Sequence, residues 1–394
     1  MNIIFFDDNE VRKNLLPLTY TRTISHLRVG ITTIGEKWRL LLGEKGQRYS
    51  HLTATYLTRL FPAHVTRDNL LVAAHVLPDS VLAGEVLSLE RGEALMLGET
   101  LLAFRGAAYD FDKHHYKRVK YTQSSPVTIN YLYDIFEHNG EAIEQDFARL
   151  TEGRESCPIP ESCTVIGPRE RIFLEEGAVV DGATLNSREG SIYVGRDVEI
   201  MEGACVRGPF SALDGSKVKM GAKVYGGTSL GPQCKIGGEV ECTVMIGHSN
   251  KAHDGFLGDA VIGEWCNLGG GTTTSNLKND YSEIKLWNYA AQRFVRTGRQ
   301  FCGPILGDHC KTGINSMLNT ATVLGVGVNI HGSGFPRNFV PSFMEGNSNA
   351  GFKNVDFEAF IATARRVMAR RGVTLTDDYR EMCSAIYNIS DRYK

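Results

Sequence analysis

Apolar or small residues recur at every sixth position over long stretches of this chain. Val194, Ile200 and Val206 form one run, and Phe256, Ile262 and Leu268 a second. Leu306, Thr312, Leu318, Leu324 and Ile330 form the longest. Several of these positions are followed directly by glycine, as in Val194-Gly195, Ile262-Gly263 and Leu324-Gly325. A period of six suits neither a 3.6-residue helix nor a strand alternating with period two. It suits a triangular coil in which three short strands complete one turn. Each repeat then sends one apolar side chain inward, and glycine eases the chain round the corner. A glycine-rich β-sandwich would alternate with period two and vary its loop lengths, and five consecutive sixes argue against it. The spacing predicts a left-handed parallel β-helix of hexapeptide repeats over about 163–334.

The repeat breaks once, after Thr272. The insertion 273–304 is basic and contains IKLWNYAAQRFVRTGRQ, which reads as a hairpin turning near Ala290–Gln292. Insertions in a solenoid project from one face, often the binding face. Upstream, IIFF (3–6) reads as a buried strand, 33–43 as a helix, 69–78 as a second buried strand, and 128–150 as helical with a break at Asn139-Gly140. Strands alternating with helices indicate an α/β domain over 1–150. The polar, proline-containing stretch 151–162 reads as a linker. The β-helix domain then extends over 163–350. Two amphipathic stretches, 356–371 and 377–392, close the chain as C-terminal helices within 351–394.

The 394 residues carry 43 Lys plus Arg against 45 Asp plus Glu, a net charge of −2, so nothing asks for nucleic acid or an anionic membrane. No apolar run approaches the ~20 residues of a membrane span. The apolar run near the N-terminus is four residues long and followed by acids, which reads as a strand and not a signal peptide. Nine scattered cysteines without a CxxC pair fit reduced thiols and a cytoplasmic location.

The densest constellation is IGHSNKAHDGFLGDAVIGEWCNLGGGTTTSNLKND, residues 246–280. Here the sequence resembles the bifunctional glucosamine-1-phosphate acetyltransferase/N-acetylglucosamine-1-phosphate uridylyltransferases and their archaeal and alternative bacterial sugar-nucleotidyltransferase relatives. The shared pattern runs from His253 through Phe256, Leu257-Gly258-Asp259, Ile262-Gly263-Glu264, Asn267 and Gly269-Gly270-Gly271-Thr272 to Asn276. The resemblance implies acetyl-CoA-dependent N-acetylation of an amino-sugar 1-phosphate, with an acyl site between neighbouring prisms of a homotrimer. His253 stands where the pattern places the general base, and histidine suits that work because its unperturbed pKa lies near working pH. Asn267 and Asn276 offer neutral hydrogen bonds to the amine and sugar hydroxyls; corner asparagines in left-handed geometry are their other reading. Gly270, Gly271 and Thr272 offer backbone N–H groups to the thioester oxygen, and Lys311 lies on the later coils where CoA is expected. Lys251 and Lys278 flank the motif as cations for the substrate phosphate. Two positions depart from the pattern. Phe256 replaces a tyrosine, and GGEVECTV (237–244) holds Glu239 and Glu241 where a lysine is usual.

The N-terminal segment resembles a sugar nucleotidyltransferase more faintly, through Leu15-Leu16-Pro17-Leu18-Thr19 and Thr21-Arg22. Its loop DDNEVRKN (7–14) has no glycine, although a phosphate-cradling loop needs close backbone approach. Arg12, Lys13, Arg22, Arg28 and Lys37 are the candidate anion ligands, and Asp7, Asp8 and Glu10 would repel a triphosphate unless Mg²⁺ intervened. Three functions stay open on sequence: an acetyltransferase paired with nucleotidyl transfer, a nucleotidyltransferase assembled by its β-helix, and a non-catalytic sugar-nucleotide sensor.

Overall fold

The computed structural model describes residues 1–123 and 125–394. Backbone contacts divide it into two compact units. One comprises Met1–Leu15, Thr21–Leu27 and Thr32–Tyr131, the other Leu16–Tyr20, Arg28–Ile31 and Leu132–Lys394. The helices that follow residue 131 therefore group with the β-helix.

The first unit is α/β. Strand β1 (Asn2–Phe6) is buried along its whole length, as expected of an apolar run covered on both faces. It pairs in parallel with β2 (Arg48–Leu52) on one side and β3 (Asn69–Ala73) on the other. Strands β4 (Glu93–Leu97), β5 (Thr100–Gly106) and β6 (Lys117–Lys120) complete a mixed sheet of order β2-β1-β3-β5-β4-β6. Helix α1 (Asn9–Asn14) follows β1 directly. Helix α2 (Ile34–Leu42) starts at a capping box of Thr33 and Glu36. It buries Trp38, whose Nε1 donates to the Val76 carbonyl at 2.9 Å. Helix α3 (Ser80–Ser88) and the short α4 (Ala108–Asp112) follow. The chain steps from β1 to β2 and then crosses to β3, so the carboxyl ends of β1 and β3 flank a topological switch point, where open α/β sheets bind ligands.

The second unit opens with α5 (Leu132–Glu137) and α6 (Asn139–Thr151), separated at the break read from Asn139-Gly140. Asn139 is fully buried and ties α6 down. Its Oδ1 accepts from the Gly30 N–H at 2.7 Å, and its Nδ2 donates to the Gly227 carbonyl at 2.7 Å. The β-helix follows. Ile200 pairs in parallel with Val180 before it and Val218 after it, and Val218 with Ile236. From Ile200 to Val218 and from Val218 to Ile236 the step is 18 residues, three repeats of six per turn, while the step from Val180 to Ile200 is 20. The inward residues form one continuous core from Ile172 to Val340.

One sequence reading shifts. Leu257, not Phe256, faces that core. The strand Phe256–Glu264 lies beside Glu239–Gly247, with Val240 opposite Leu257 and Met245 opposite Ile262, and both bend where Cys242 and Asp259 take φ values of 42° and 46°. Inward residues either side of this corner are five apart instead of six, which moves the inward phase by one residue. The insertion forms the expected hairpin, Lys285–Asn288 against Arg293–Arg296. Asn288 Oδ1 accepts from the Ala291 N–H at 2.7 Å, and Gln292 takes a φ of 52° in the turn. Helices α7 (Phe357–Ala369) and α8 (Asp377–Ser390) are capped by Asp356 and Thr376. Phe360 of α7 packs edge-on to Phe343, and Tyr379 of α8 bonds His309 Nε2 at 2.8 Å. Among the described residues no helix is long and apolar enough to cross a membrane.

Lys251 occupies an inward position, opposite Ile236 in the ladder, and is 2 % exposed. Its ammonium donates to the carbonyls of Gly237 at 2.9 Å and His253 at 2.6 Å. Burial disfavours the charged form and brings its pKa down from 10.5 to about 8. A base whose pKa is lower in the folded than in the unfolded chain is a stability cost below the folded value, relieved as pH rises towards the unfolded one. Wild type should therefore gain on Lys251→Met between pH 8 and 10, by up to about 3 kcal/mol in chemical denaturation. A difference independent of pH would show that the ammonium is not desolvated.

Candidate functional site

Three successive coils present Asn250, Asn267 and Lys311 side by side on one face of the β-helix. Together with the last turn of α7 and the residues after it they enclose a cleft of about 530 Å³. His253 reaches it from the turn that Lys251 braces. Its ring lies 3.7 Å from where a side chain at Gly270 would begin, so glycine leaves the room in front of it. Asn250 Nδ2 donates to Asn267 Oδ1 at 3.3 Å. Arg371, just beyond α7, donates to Asn250 Oδ1 at 2.9 Å and to Gln233 Oε1 at 3.3 Å, which fixes its guanidinium across two coils.

The electrostatics of this cleft have one sign. Lys235, Lys311, Arg370 and Arg371 line it, no carboxylate does, and none of the four is ion-paired among the described residues. Burial, then the charges of Arg371, Lys217, Lys219 and Arg370, hold the Lys235 ammonium below the usual lysine range. Burial also lowers Lys311. Cations held together without counter-charges favour an anionic ligand.

His248 and Trp265 form the cleft's aromatic wall, and with His309 beyond it they sit at strained corners. His248, Trp265 and His309 have φ values of 53°, 63° and 62°. Left-handed geometry costs a non-glycine residue about 1–2 kcal/mol. Their rings stack from coil to coil, His248 on Trp265 at 4.1 Å and 19°, and Trp265 with His309 at 6.3 Å and 17°. This contact offsets part of the strain.

The structure thus brings together four of the expected residues, His253, Asn267, Gly270 and Lys311. Others are taken up by the scaffold. Lys251 spends its ammonium on two carbonyls. The Thr272 hydroxyl bonds Thr312 Oγ1 at 2.8 Å inside the prism, and its N–H donates to the Gly269 carbonyl. Gly271 makes a corner with a φ of 71°. Asn276 lies in a separate cavity of about 740 Å³ with Glu241, Asp259 and Arg299, where its Nδ2 donates to Asp259 Oδ2 at 2.7 Å. The Phe256 ring lies against Gly258, close to Asn276. Lys278 borders a third cavity beside the hairpin, and its ammonium donates to the Glu283 carbonyl at 2.7 Å. The basic insertion is partly neutralised, since Arg296 pairs with Glu283 and Arg299 with Glu137.

In the α/β unit a cleft of about 810 Å³ opens at the carboxyl ends of β1 and β3. None of Arg12, Arg22 and Lys37 lines it, and all three are buried, 6 %, 4 % and 3 % exposed. Arg12 is taken up by Asp7 at 3.4 Å, the Tyr56 hydroxyl at 2.8 Å and the Arg22 carbonyl at 3.1 Å. Arg28, another expected anion ligand, is equally buried, groups with the second unit, and donates to the Ile31 carbonyl. Asp7 also accepts from Thr53 at 2.5 Å and from the Ile24 N–H at 2.9 Å. Asp8 caps α1, accepting from Glu10 N–H at 2.9 Å and Val11 N–H at 3.0 Å. These acids do not fit a Mg²⁺ site: both are committed to other partners, and no group of three potential ligands converges among the described residues.

Residues 3–155 match the sugar nucleotidyl transferase family. The chain is 32 % identical over 145 residues to the bifunctional sugar-1-phosphate nucleotidylyltransferase/acetyltransferase of Sulfurisphaera tokodaii, over 36 % of each chain. It is 28 % identical over 172 residues to the bifunctional protein GlmU of Bartonella quintana, over 42 % of this chain and 33 % of that one.

The chain resembles the bifunctional sugar nucleotidyltransferase/acetyltransferases.

It spans about a third of the length of these curated relatives. Among solved structures, the UDP-N-acetylglucosamine acyltransferase of Campylobacter jejuni aligns over 58 % of this chain and 95 % of its own. The identity is 14 % and the TM-score 0.30, and the fold described above rests on the strand pairing alone.

Sequence reasoning missed Lys235 and Arg371. Lys235 had a signal, because it lies two residues before the 237–244 stretch where the pattern's lysine was sought. Arg371 had none, because a helix remote in sequence carries it to the cleft. Pyrophosphate titrated calorimetrically should bind here. Arg371→Ala should weaken it at least about tenfold, as loss of a charge-assisted hydrogen bond does. Arg299→Ala should leave it unchanged. Equal effects of the two variants would place the anion elsewhere.

Proposed function

We propose that the β-helix cleft transfers an acyl group, acetyl in the simplest case, from a CoA thioester to the amine of an amino-sugar phosphate. The observation that carries this reading is the placement of His253 in a cleft lined by four unpaired cations and no carboxylate. An amine attacks a thioester only as the free base. His253 takes the proton as the new N–C bond forms, and gives it to the sulfur as the C–S bond breaks and the thiolate leaves. The carbonyl oxygen gains negative charge between these steps, and Lys311 and Arg371 lie in the same cleft to stabilise it or the phosphates beside it. Asn267, whose Oδ1 is occupied by Asn250, keeps its Nδ2 for a sugar hydroxyl. The phosphate falls to Lys235 and Arg371 in place of Lys251.

A second reading, sugar-1-phosphate nucleotidyl transfer in the α/β unit, is favoured by the family match over residues 3–155. Pyrophosphate release from UTP or dTTP with a sugar 1-phosphate would establish it. Self-association is part of the first reading. A homotrimer would give light scattering at three times 43.5 kDa, and a monomer at micromolar concentration would count against it.

His253→Ala should lower kcat with glucosamine 1-phosphate about 10²–10⁴-fold and leave CoA affinity nearly unchanged. Arg371→Ala should raise KM for the sugar phosphate more than it lowers kcat. Wild-type kcat in His253→Ala would remove the histidine from the chemistry. Absence of transfer by the wild type to any amino-sugar phosphate would sink the substrate class.

A further inference from the structure

His253 stands on a stretch of chain that little else holds. It lies in the bend between the strand Asn250–Lys251 and the strand that begins at Phe256. Its side chain is exposed, and among the described residues its ring has no hydrogen-bond partner. No carboxylate therefore orients the imidazole through its second nitrogen, as a third group does in a catalytic triad. Among the described residues a single hydrogen bond reaches the main chain of Ala252, His253 and Asp254. Lys251 Nζ donates it, to the His253 carbonyl at 2.6 Å. We propose that Lys251 is a positioning residue for acyl transfer: from inside the prism its ammonium holds this bend so that the His253 ring stays aimed into the cleft. The proposal rests on His253 being the base.

Lys251 is anchored where it cannot touch a substrate. It takes an inward place opposite Ile236, does not line the cleft, and sends its other bond to the Gly237 carbonyl on the preceding coil. Ile236 and Leu268 fill the core on either side of it. A desolvated ammonium among them is a cost to the fold that an apolar side chain would avoid, so stability alone does not account for a lysine here. The bend is also pinned at its far end. Gly255 has a φ of 119°, and a Cβ there would stand 2.0 Å from the Thr272 carbonyl oxygen. A Cβ at Gly238, on the coil before, would come within 2.8 Å of the Asp254 Cα. Between Lys251 and Gly255 the middle of the bend, where His253 stands, is held by the Lys251 bond. In front of the ring Gly270 leaves open space, so the backbone sets where the imidazole lies. A general base works only within hydrogen-bond reach of the proton it takes, and a displacement of about 1 Å can cost about a hundredfold in rate.

Kinetics of the full chain with glucosamine 1-phosphate and acetyl-CoA test this. Lys251→Met keeps the stem and removes the donors. It should lower kcat by about tenfold or more and leave KM and CoA affinity nearly unchanged. A cycle with His253→Ala separates positioning from support of the fold. Residue 253 keeps its carbonyl in His253→Ala, so Lys251→Met should shift Tm equally in both backgrounds. It should lower kcat only where the histidine is present. Lys251→Gln retains an N–H donor without the charge. Its kcat should fall between those of wild type and Lys251→Met, and it takes the place of the Met variant in the cycle if that variant does not fold. Wild-type kcat in folded Lys251→Met, beside a slow His253→Ala, would overturn the positioning role and leave the base standing. The same fractional loss of kcat with and without His253 would also overturn it, as the mark of a purely structural lysine. Wild-type kcat in His253→Ala would remove the base and the positioning role together.

Discussion

Each coil of the prism must stack in register on the one before it, and this repeated parallel pairing governs the rest of the second unit. The condition is strict. Every turn has to send small or apolar groups inward, satisfy its own N–H and C=O groups on the coils above and below, and reverse direction at corners that often require left-handed backbone. Ile200, Val218 and Ile236 meet the first demand on one face. His248, Trp265 and His309 meet the last by stacking their rings where a glycine might have stood. Lys251 is the exception that shows how the rule is kept. A lysine placed inward survives because two carbonyls receive its ammonium, and the second of those carbonyls belongs to His253. The turn carrying the candidate base is thereby fastened to the core.

The two clefts show how local hydrogen bonding decides the sign of a site. On the β-helix, cations gather from separate coils and from beyond α7 without carboxylates among them, so their mutual repulsion is relieved only by an incoming anion. At the sheet, the chain supplies its own anion to the helix N-terminus and buries Arg12 against Asp7 and Tyr56. The α/β unit retains sequence likeness to sugar nucleotidyl transferases over residues 3–155. The groups that would receive a triphosphate are nonetheless committed elsewhere. Likeness of fold and likeness of site are separate properties, and here the side chains around the switch point distinguish them.

The sequence alone determined the solenoid, because a period of six has one economical solution and glycine marks its corners. The hairpin turn at Gln292, the break at Asn139-Gly140 and the two C-terminal helices were legible for the same reason: each is a local signal read over a few residues. His253, Asn267, Gly270 and Lys311 could be nominated by pattern. Only the tertiary structure decided which candidates meet. Asn276 and His253 share a motif but line different cavities, because a nine-residue strand and a corner lie between them. Thr272 and Lys251 are polar in the sequence and buried in the fold, Lys251 at the inward position of a two-residue strand and Thr272 at the corner before the next one. Phe256 yielded its inward place to Leu257 because the repeat before Ile262 is one residue short. Arg371 entered the cleft from a helix far along the chain, and Arg12 turned away from its expected ligand to bury itself against Asp7. Periodicity follows from the next few residues, whereas burial and charge pairing depend on what the rest of the chain brings alongside.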